Sequence, residues 1–251
     1  MHLHLARFHA ALTPERFSEY LLLLDREERN RLQRFQREKD RHLFAASHAF
    51  LRRTLSPYVK IPPDQLRFVV NRHGKPSLDG HSKDAVIHFN LAHTYDLVVV
   101  AVNGGGEVGV DVERLDRDVD PLEIGDRFFS REESADLRDT PAAGRVRRFF
   151  QYWTLKEAFL KARGQGLSAA LDRFTLHVLP EGRATLSTFS EQEEDVAAWS
   201  LFHFEPTPEH IVAACVACPA GPAACQWKWE RDLAQPATDQ QKESPRRGCL
   251  N

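Results

Sequence analysis

Apolar residues in the first quarter of the chain recur every three to four positions. Over 12–25 (LTPERFSEYLLLLD) and 26–56 (REERNRLQRFQREKDRHLFAASHAFLRRTLS) that spacing predicts helices. The second is rich in arginine and long enough for two segments. Pro14, Pro57, Pro62 and Pro63 punctuate the region. The period then changes. LRFVVN (66–71) predicts a strand, a loop follows around HGKPSLDGHSKD, and AVIHFNLAH and DLVVVAVN (96–103) are apolar, β-branched runs. GGG (104–106) predicts a turn and EVGVDVE (107–113) another strand. Helical spacing returns from about Pro121 to Arg138. PAAGR predicts a break, and the apolar run from Phe149 predicts a helix stopped by Gly164 and Gly166. RFTLHVL, ATLSTF, AAWSLFHF and HIVAACVA predict closing strands.

The order helices, strands, helices, strands predicts an α+β fold of two units. The boundary is expected near Asn103–Gly106, giving halves over 1–104 and 105–218. The runs DLVVVAVN and HIVAACVA resemble one another as closing strands. After Pro219 the chain turns Ala-, Pro- and Gln-rich and then charged, so 219–251 is expected to be a flexible tail.

Composition narrows the function classes. The 251 residues are 42% hydrophobic and 28% charged, an ordinary soluble balance. A net charge of −2 gives no nucleic-acid signal. No apolar run approaches the roughly 18 residues of a membrane helix, and MHLHLARFHA lacks the pattern of a signal peptide. A cytoplasmic location is expected. Cys215 and Cys218 form a CxxC, but it continues an apolar strand without four-ligand zinc spacing. Cys249 is third from the end, so no prenylation box is expected. GGGEVG (104–109) matches GxGxxG, but it joins two strands and so lacks the strand-then-helix context of a dinucleotide fingerprint.

The candidate chemistry begins with a question about the last helix. Lys156, Glu157 and Lys161 interrupt a very apolar run, FFQYWTLKEAFLKARG. Glu157 shares a stripe with Phe150, Trp153, Leu160 and Lys161, so it faces a buried or half-buried side and needs a partner. That partner is Lys161 at i+4 or a group elsewhere in the chain. Lys156, about 100° around the helix from Glu157, has no evident destination. In VGVDVE, Val108, Val110 and Val112 face one way; Gly109, Asp111 and Glu113 face the other. Two carboxylates about 6.5–7 Å apart on one strand face suit a hard cation such as Mg²⁺; a solvated strand end is the alternative. His93 ends FNLAH, Lys75 sits in a Gly-Lys-Pro turn, and Arg31, Arg34, Arg37, Arg41 and Arg52 line the long basic segment. Together they make the inventory of a Mg²⁺–phosphate site. No nucleophile triad or P-loop is evident.

The ordered set FNLAH, GVDVE, RFFSREE and WTLKEAFLKARGQGLS, with the GKP turn and the basic segment ending DRHLFAASHAFLRR, resembles the 4′-phosphopantetheinyl transferases of the large single-chain (Sfp-type) branch. The resemblance runs from about Arg31 to Ala217. It implies two similar α/β halves packed as an intramolecular pseudo-dimer, with coenzyme A between them. It implies transfer of 4′-phosphopantetheine from coenzyme A to a serine of an acyl, peptidyl or polyketide carrier protein, releasing adenosine 3′,5′-bisphosphate. Carried over residue by residue, it implies Asp111, Glu113 and Glu157 as ligands of Mg²⁺ (or Mn²⁺), Glu157 as general base and Lys161 on the pyrophosphate. It also implies His93, Lys75, Pro76, Arg31 and Arg41 on coenzyme A. Ala92 departs from the family's serine, which predicts weaker coenzyme A binding, with Thr94 as a candidate substitute. Because carrier proteins are usually acidic near the modified serine, Arg145 and Arg147 are expected to help dock them. A Mg²⁺-dependent phosphohydrolase and a non-catalytic coenzyme A- or carrier-binding module are the competing readings. The fused halves predict a monomer.

Overall fold

The computed structural model describes residues 1–8, 12–79, 87–164, 171–188, 196–218, 224–230 and 247–250; the expected stop at Gly166 lies outside them. The chain opens with β1 (His2–Arg7), a strand the helical reading of the N-terminal region misses although HLHLAR alternates. Three helices follow, α1 (Pro14–Leu23), α2 (Arg26–Leu32) and α3 (Glu38–Val59). Thr13 caps α1 with Pro14 at its first position, and Asp25 and Glu28 form a reciprocal capping box at α2. Pro57, expected to end a helix, lies inside the last turn of α3; the stop is Lys60, in the left-handed region at φ 57°.

A short hairpin, β2 (Phe68–Val70) and β3 (Pro76–Leu78), leads to β4 (His88–His93) and β5 (Leu97–Asn103). Then come β6 (Val108–Arg114), α4 (Pro121–Phe128), α5 (Arg131–Asp139) and α6 (Ala142–Arg163). The break expected over PAAGR narrows to Pro141, which occupies the cap position of α6, so the helix starts seven residues before Phe149 with Gly144 in its first turn. The chain closes with β7 (Phe174–Leu179), β8 (Arg183–Thr188), β9 (Trp199–Thr207) and β10 (His210–Ala217).

The strand orders reveal the repeat. One sheet runs β12 (Arg247–Leu250), β11 (Cys225–Trp229), β1, β5, β4 and the other β6-β10-β9-β8-β7. In each half a first strand leads into helices, and the chain returns as an antiparallel pair whose second member lies beside the first strand: β4–β5 against β1, β9–β10 against β6. The fold is α+β, two similar α/β halves. The glycine turn at 104–106 joins β5 in one sheet to β6 in the other.

Burial explains why the central strands read as continuous apolar runs. On β5, Val98, Val100 and Val102 pack under α1–α3, while Leu97, Val99 and Ala101 face the second sheet. On β10, Ile211, Ala213 and Cys215 pack under α6, while Val212, Ala214 and Val216 face the first sheet. The layers are therefore helices, sheet, sheet, helices, and strands covered on both faces lose the polar alternation.

The segment expected as a tail carries two strands. β11 (Cys225–Trp229) pairs parallel with β1, and β12 (Arg247–Leu250) pairs with β11. Cys225 is buried between the sheets and Trp227 stacks on Phe204 with ring centroids 5.1 Å apart. A composition average over 219–251 hides the five-residue alternation CQWKW. Among the described residues no helix is long and apolar enough to cross a membrane.

Candidate active site

The second half builds the acidic wall. On β6 the three valines enter the core between the sheets, which turns Gly109, Asp111 and Glu113 toward α6. Gly109 is the point of contact: a Cβ there would lie 2.0 Å from the Ala158 carbonyl oxygen and 2.4 Å from the Ala162 nitrogen. Glycine lets the helix lie directly on the strand. Glu157 and Lys161, one turn apart, are then brought to Asp111. The Lys161 ammonium donates to Asp111 Oδ1 at 2.6 Å. Among the described residues Asp111 Oδ2 is buried with no hydrogen-bond partner, and none donates to the buried Glu157 carboxylate. Glu113 pairs with Arg117 at 2.6 Å.

These carboxylates disfavour one another's charge. Desolvation raises Asp111 to about 6; Lys161 opposes the rise and Glu113 adds to it. Desolvation and then the Asp111 charge raise Glu157 to about 7. Among the described residues no three acidic, histidine or cysteine side chains already enclose a metal position. The physical reason is visible in the pairs: Lys161 lies against Asp111, and Glu113 is turned to Arg117. An orphaned buried oxygen on Asp111 and an unpartnered Glu157 beside it nonetheless fit a hard divalent cation, which takes oxygen ligands and suppresses just such raised carboxylate pKa values.

The first half supplies cations. His93, Tyr95, Asp111, Glu113, Arg114 and Arg117 line a cleft of about 500 Å³. Desolvation, then the charges of His48, Lys161 and Arg31, lower His93 to about 4. His93 is exposed to solvent, which blunts the first cause and leaves the crowding of cations as the durable part. An anion among them would relieve it. Arg31 thus belongs to the electrostatic surroundings of His93. Arg41 lies on α3 beside His42, whose pKa its charge helps lower, and nothing in the described contacts brings it to the cleft. Ala92 is buried in the core between the sheets, while Thr94 lines the cleft.

Lys75 immediately precedes β3 and Pro76 opens it. The Lys75 ammonium donates to Glu107 Oε2 at 2.5 Å, the Ala162 carbonyl at 2.7 Å and the Val108 carbonyl at 3.3 Å. Arg145 and Arg147 lie on the first turns of α6, one bonded to the carbonyls of Arg138 and Thr140, the other paired with Glu205 at 3.0 Å.

Three residues that belong to the sequence motifs take roles the sequence does not reveal. Asn90 Oδ1 accepts from the Val110 amide at 2.9 Å, so the first half fixes the backbone next to Asp111. Gly109 signals itself only once α6 is seen against it. Lys156, the charge without a destination, is fully buried and meets Glu133 at 2.8 Å; it also donates to the carbonyls of Leu171 and Phe174, and its ammonium lies 4.2 Å from the centroid of the Phe174 ring. The S-x-x-E spacing of Ser130 and Glu133 was the available signal, since Glu133 also closes the α5 capping box.

Comparisons with known proteins follow the same division. Residues 107–216 match a family model described as the 4′-phosphopantetheinyl transferase superfamily, and residues 11–104 match one described as 4′-phosphopantetheinyl transferase, N-terminal. The 4′-phosphopantetheinyl transferase HetI of Nostoc sp. is 32% identical over 85% of this chain and 87% of its own length. The 4′-phosphopantetheinyl transferase psf-1 of Bacillus pumilus is 33% identical over 77% of this chain and 79% of its own. The 4′-phosphopantetheinyl transferase Sfp of Bacillus subtilis is 28% identical over 84% of this chain and 90% of its own.

Proposed function

The chain belongs to the 4′-phosphopantetheinyl transferase superfamily, and from that premise we propose that it carries out Mg²⁺-dependent transfer of 4′-phosphopantetheine from coenzyme A to a serine of an acyl, peptidyl or polyketide carrier protein. The observation that carries the reading is that Lys161 bonds Asp111, that the Asp111 charge acts on Glu157, and that Asp111 and His93 line one cleft. In the reaction the serine oxygen forms a bond to the pantetheine-side phosphorus, the pyrophosphate P–O bond breaks, and adenosine 3′,5′-bisphosphate leaves.

Asp111, Glu157 and, once released by Arg117, Glu113 would hold the cation. Bound there, Mg²⁺ (or Mn²⁺) supplies charge neutralisation at the pyrophosphate. Glu157, which a bound cation would hold in its charged form, is suited to take the serine proton, directly or through a water. Lys161 exchanges Asp111 for the leaving phosphate oxygens. His93 and Arg31 receive coenzyme A phosphates, with Arg41 as a further candidate, and the Lys75–Pro76 turn borders the nucleotide. Arg145 and Arg147 steer the acidic carrier. The enzyme works as a cytoplasmic monomer.

The test is to incubate the protein with coenzyme A, Mg²⁺ and an apo carrier and weigh the carrier by mass spectrometry. A phosphopantetheine adduct is expected, and Glu157→Gln should abolish it in a folded protein. No adduct across several carriers would overturn the proposal; coenzyme A consumed without a carrier would favour a phosphohydrolase.

A further inference from the structure

Lys75 has three N–H donors and, as described above, three acceptors: a carboxylate oxygen of Glu107 and the carbonyls of Val108 and Ala162. These acceptors lie on two different elements. Glu107 precedes and Val108 begins the strand that carries Asp111 and Glu113; Ala162 lies in the last turn of the helix that carries Glu157 and Lys161. The lysine belongs to neither, since it comes from the β2–β3 hairpin of the other half.

The hairpin is built to hold it there. The Asn71 side-chain oxygen accepts from the amides of His73 and Lys75 at 2.8 and 2.9 Å, and the Asn71 amide donates to the Lys75 carbonyl at 3.0 Å. Asn71 Nδ2 also donates to the Gly164 carbonyl at 3.2 Å, beside the lysine's own contact. Gly164 is the left-handed cap of α6, at φ 64°, and a Cβ there would meet Lys75 Cδ at 3.0 Å and Asn71 Nδ2 at 3.2 Å. The last carbonyls of a helix have no partner within it and sit at the negative end of its dipole. A fixed cation and an amide answer both. Glu107 is braced in turn by His88 Nδ1 at 3.2 Å. The Lys75 side chain is 14% exposed.

We propose that the Lys75 side chain is a positioning residue: with Asn71 it forms a strut from the first half that fixes the end of α6 against the start of β6, and so sets the separation of Glu157 and Lys161 from Asp111. The side chain is not a coenzyme A ligand; only the turn that carries it borders the nucleotide. The kinetic part of this inference rests on the transferase reading above.

The experiment compares Lys75→Met, Lys75→Arg and Asn71→Ala with wild type in three measurements: coenzyme A binding by calorimetry, carrier modification at saturating coenzyme A and carrier, and amide exchange across 155–164. For Lys75→Met we expect kcat to fall by about tenfold or more, since small displacements of catalytic groups carry factors of that size. The coenzyme A Kd should stay within about twofold and the last turn of α6 should exchange faster. Lys75→Arg, which keeps the charge and donors, should recover part of kcat, and Asn71→Ala should shift the same quantities in the same direction. A raised Kd with kcat intact would overturn the proposal by making the lysine a ligand. Unchanged exchange in α6 would overturn the strut itself. If Lys75→Met does not fold, Lys75→Arg and Asn71→Ala decide by the same readouts. If wild type modifies no carrier, the transferase reading fails, while exchange across α6 still decides whether the strut exists.

Discussion

Glu157→Gln in the metal-free protein separates charge from shape at the centre of the site. Desolvation and the neighbouring Asp111 raise Glu157 from 4.5 to about 7. Between those values the folded chain holds a proton that the unfolded chain has released. The stabilising contribution is therefore complete below 4.5 and lost as the pH rises through about 7. At about pH 8 the wild type folds around an ionised, crowded carboxylate; glutamine has the same shape and no charge. At about 1.36 kcal/mol per pH unit, the interval from 4.5 to about 7 corresponds to about 3 kcal/mol. Solvent at the cleft screens part of this and Asp111 shares the titration, so a gain of about 2 kcal/mol is the expected size. The assay is urea unfolding with a chelator present, at several pH values from about 4.5 to 8.5. The variant should be the more stable protein at pH 8, with the gap shrinking as the pH falls and gone near 4.5. Mg²⁺ should then stabilise the wild type more than the variant, by mass action on the folded state. A variant no more stable than wild type at pH 8, or a gap that widens on acidification, would refute the reasoning.

Three other perturbations reach different parts of the structure. Gly109→Ala drives a methyl group into the Ala158 carbonyl; forced displacement of α6 should cost about 1–3 kcal/mol, measured by chemical denaturation, and abolish carrier modification. Lys156→Met leaves Glu133 buried and unpaired, a loss of about 3–5 kcal/mol; adding Glu133→Gln should recover much of it, and an additive double-mutant cycle would show that the pair is not coupled. Charge reversal at Arg145 and Arg147 should raise the carrier KM while leaving coenzyme A binding unchanged, and an unaltered carrier KM would remove them from the docking surface.

Much of this protein was legible locally. The alternation of VGVDVE assigns three valines inward and Asp111 and Glu113 to one face, because successive side chains on a strand point opposite ways. The helical stripe likewise puts Glu157 and Lys161 on one side of α6. The ordered motifs carried the family. What local periodicity cannot carry is the identity of partners. Lys161 meets an aspartate 50 residues away rather than the glutamate one turn before it. Lys75 caps a helix end 87 residues away. Lys156 acquires its role only where α5, α6 and β7 converge. Even the tail strand β11 exists because β1 offers it a free sheet edge and Phe204 a ring to stack on. The sequence by itself determined which residues share a face and which chemistry they bring. Tertiary structure decided which charge meets which, because an ammonium removed from water pairs with whatever acceptor the packing of distant elements puts within reach.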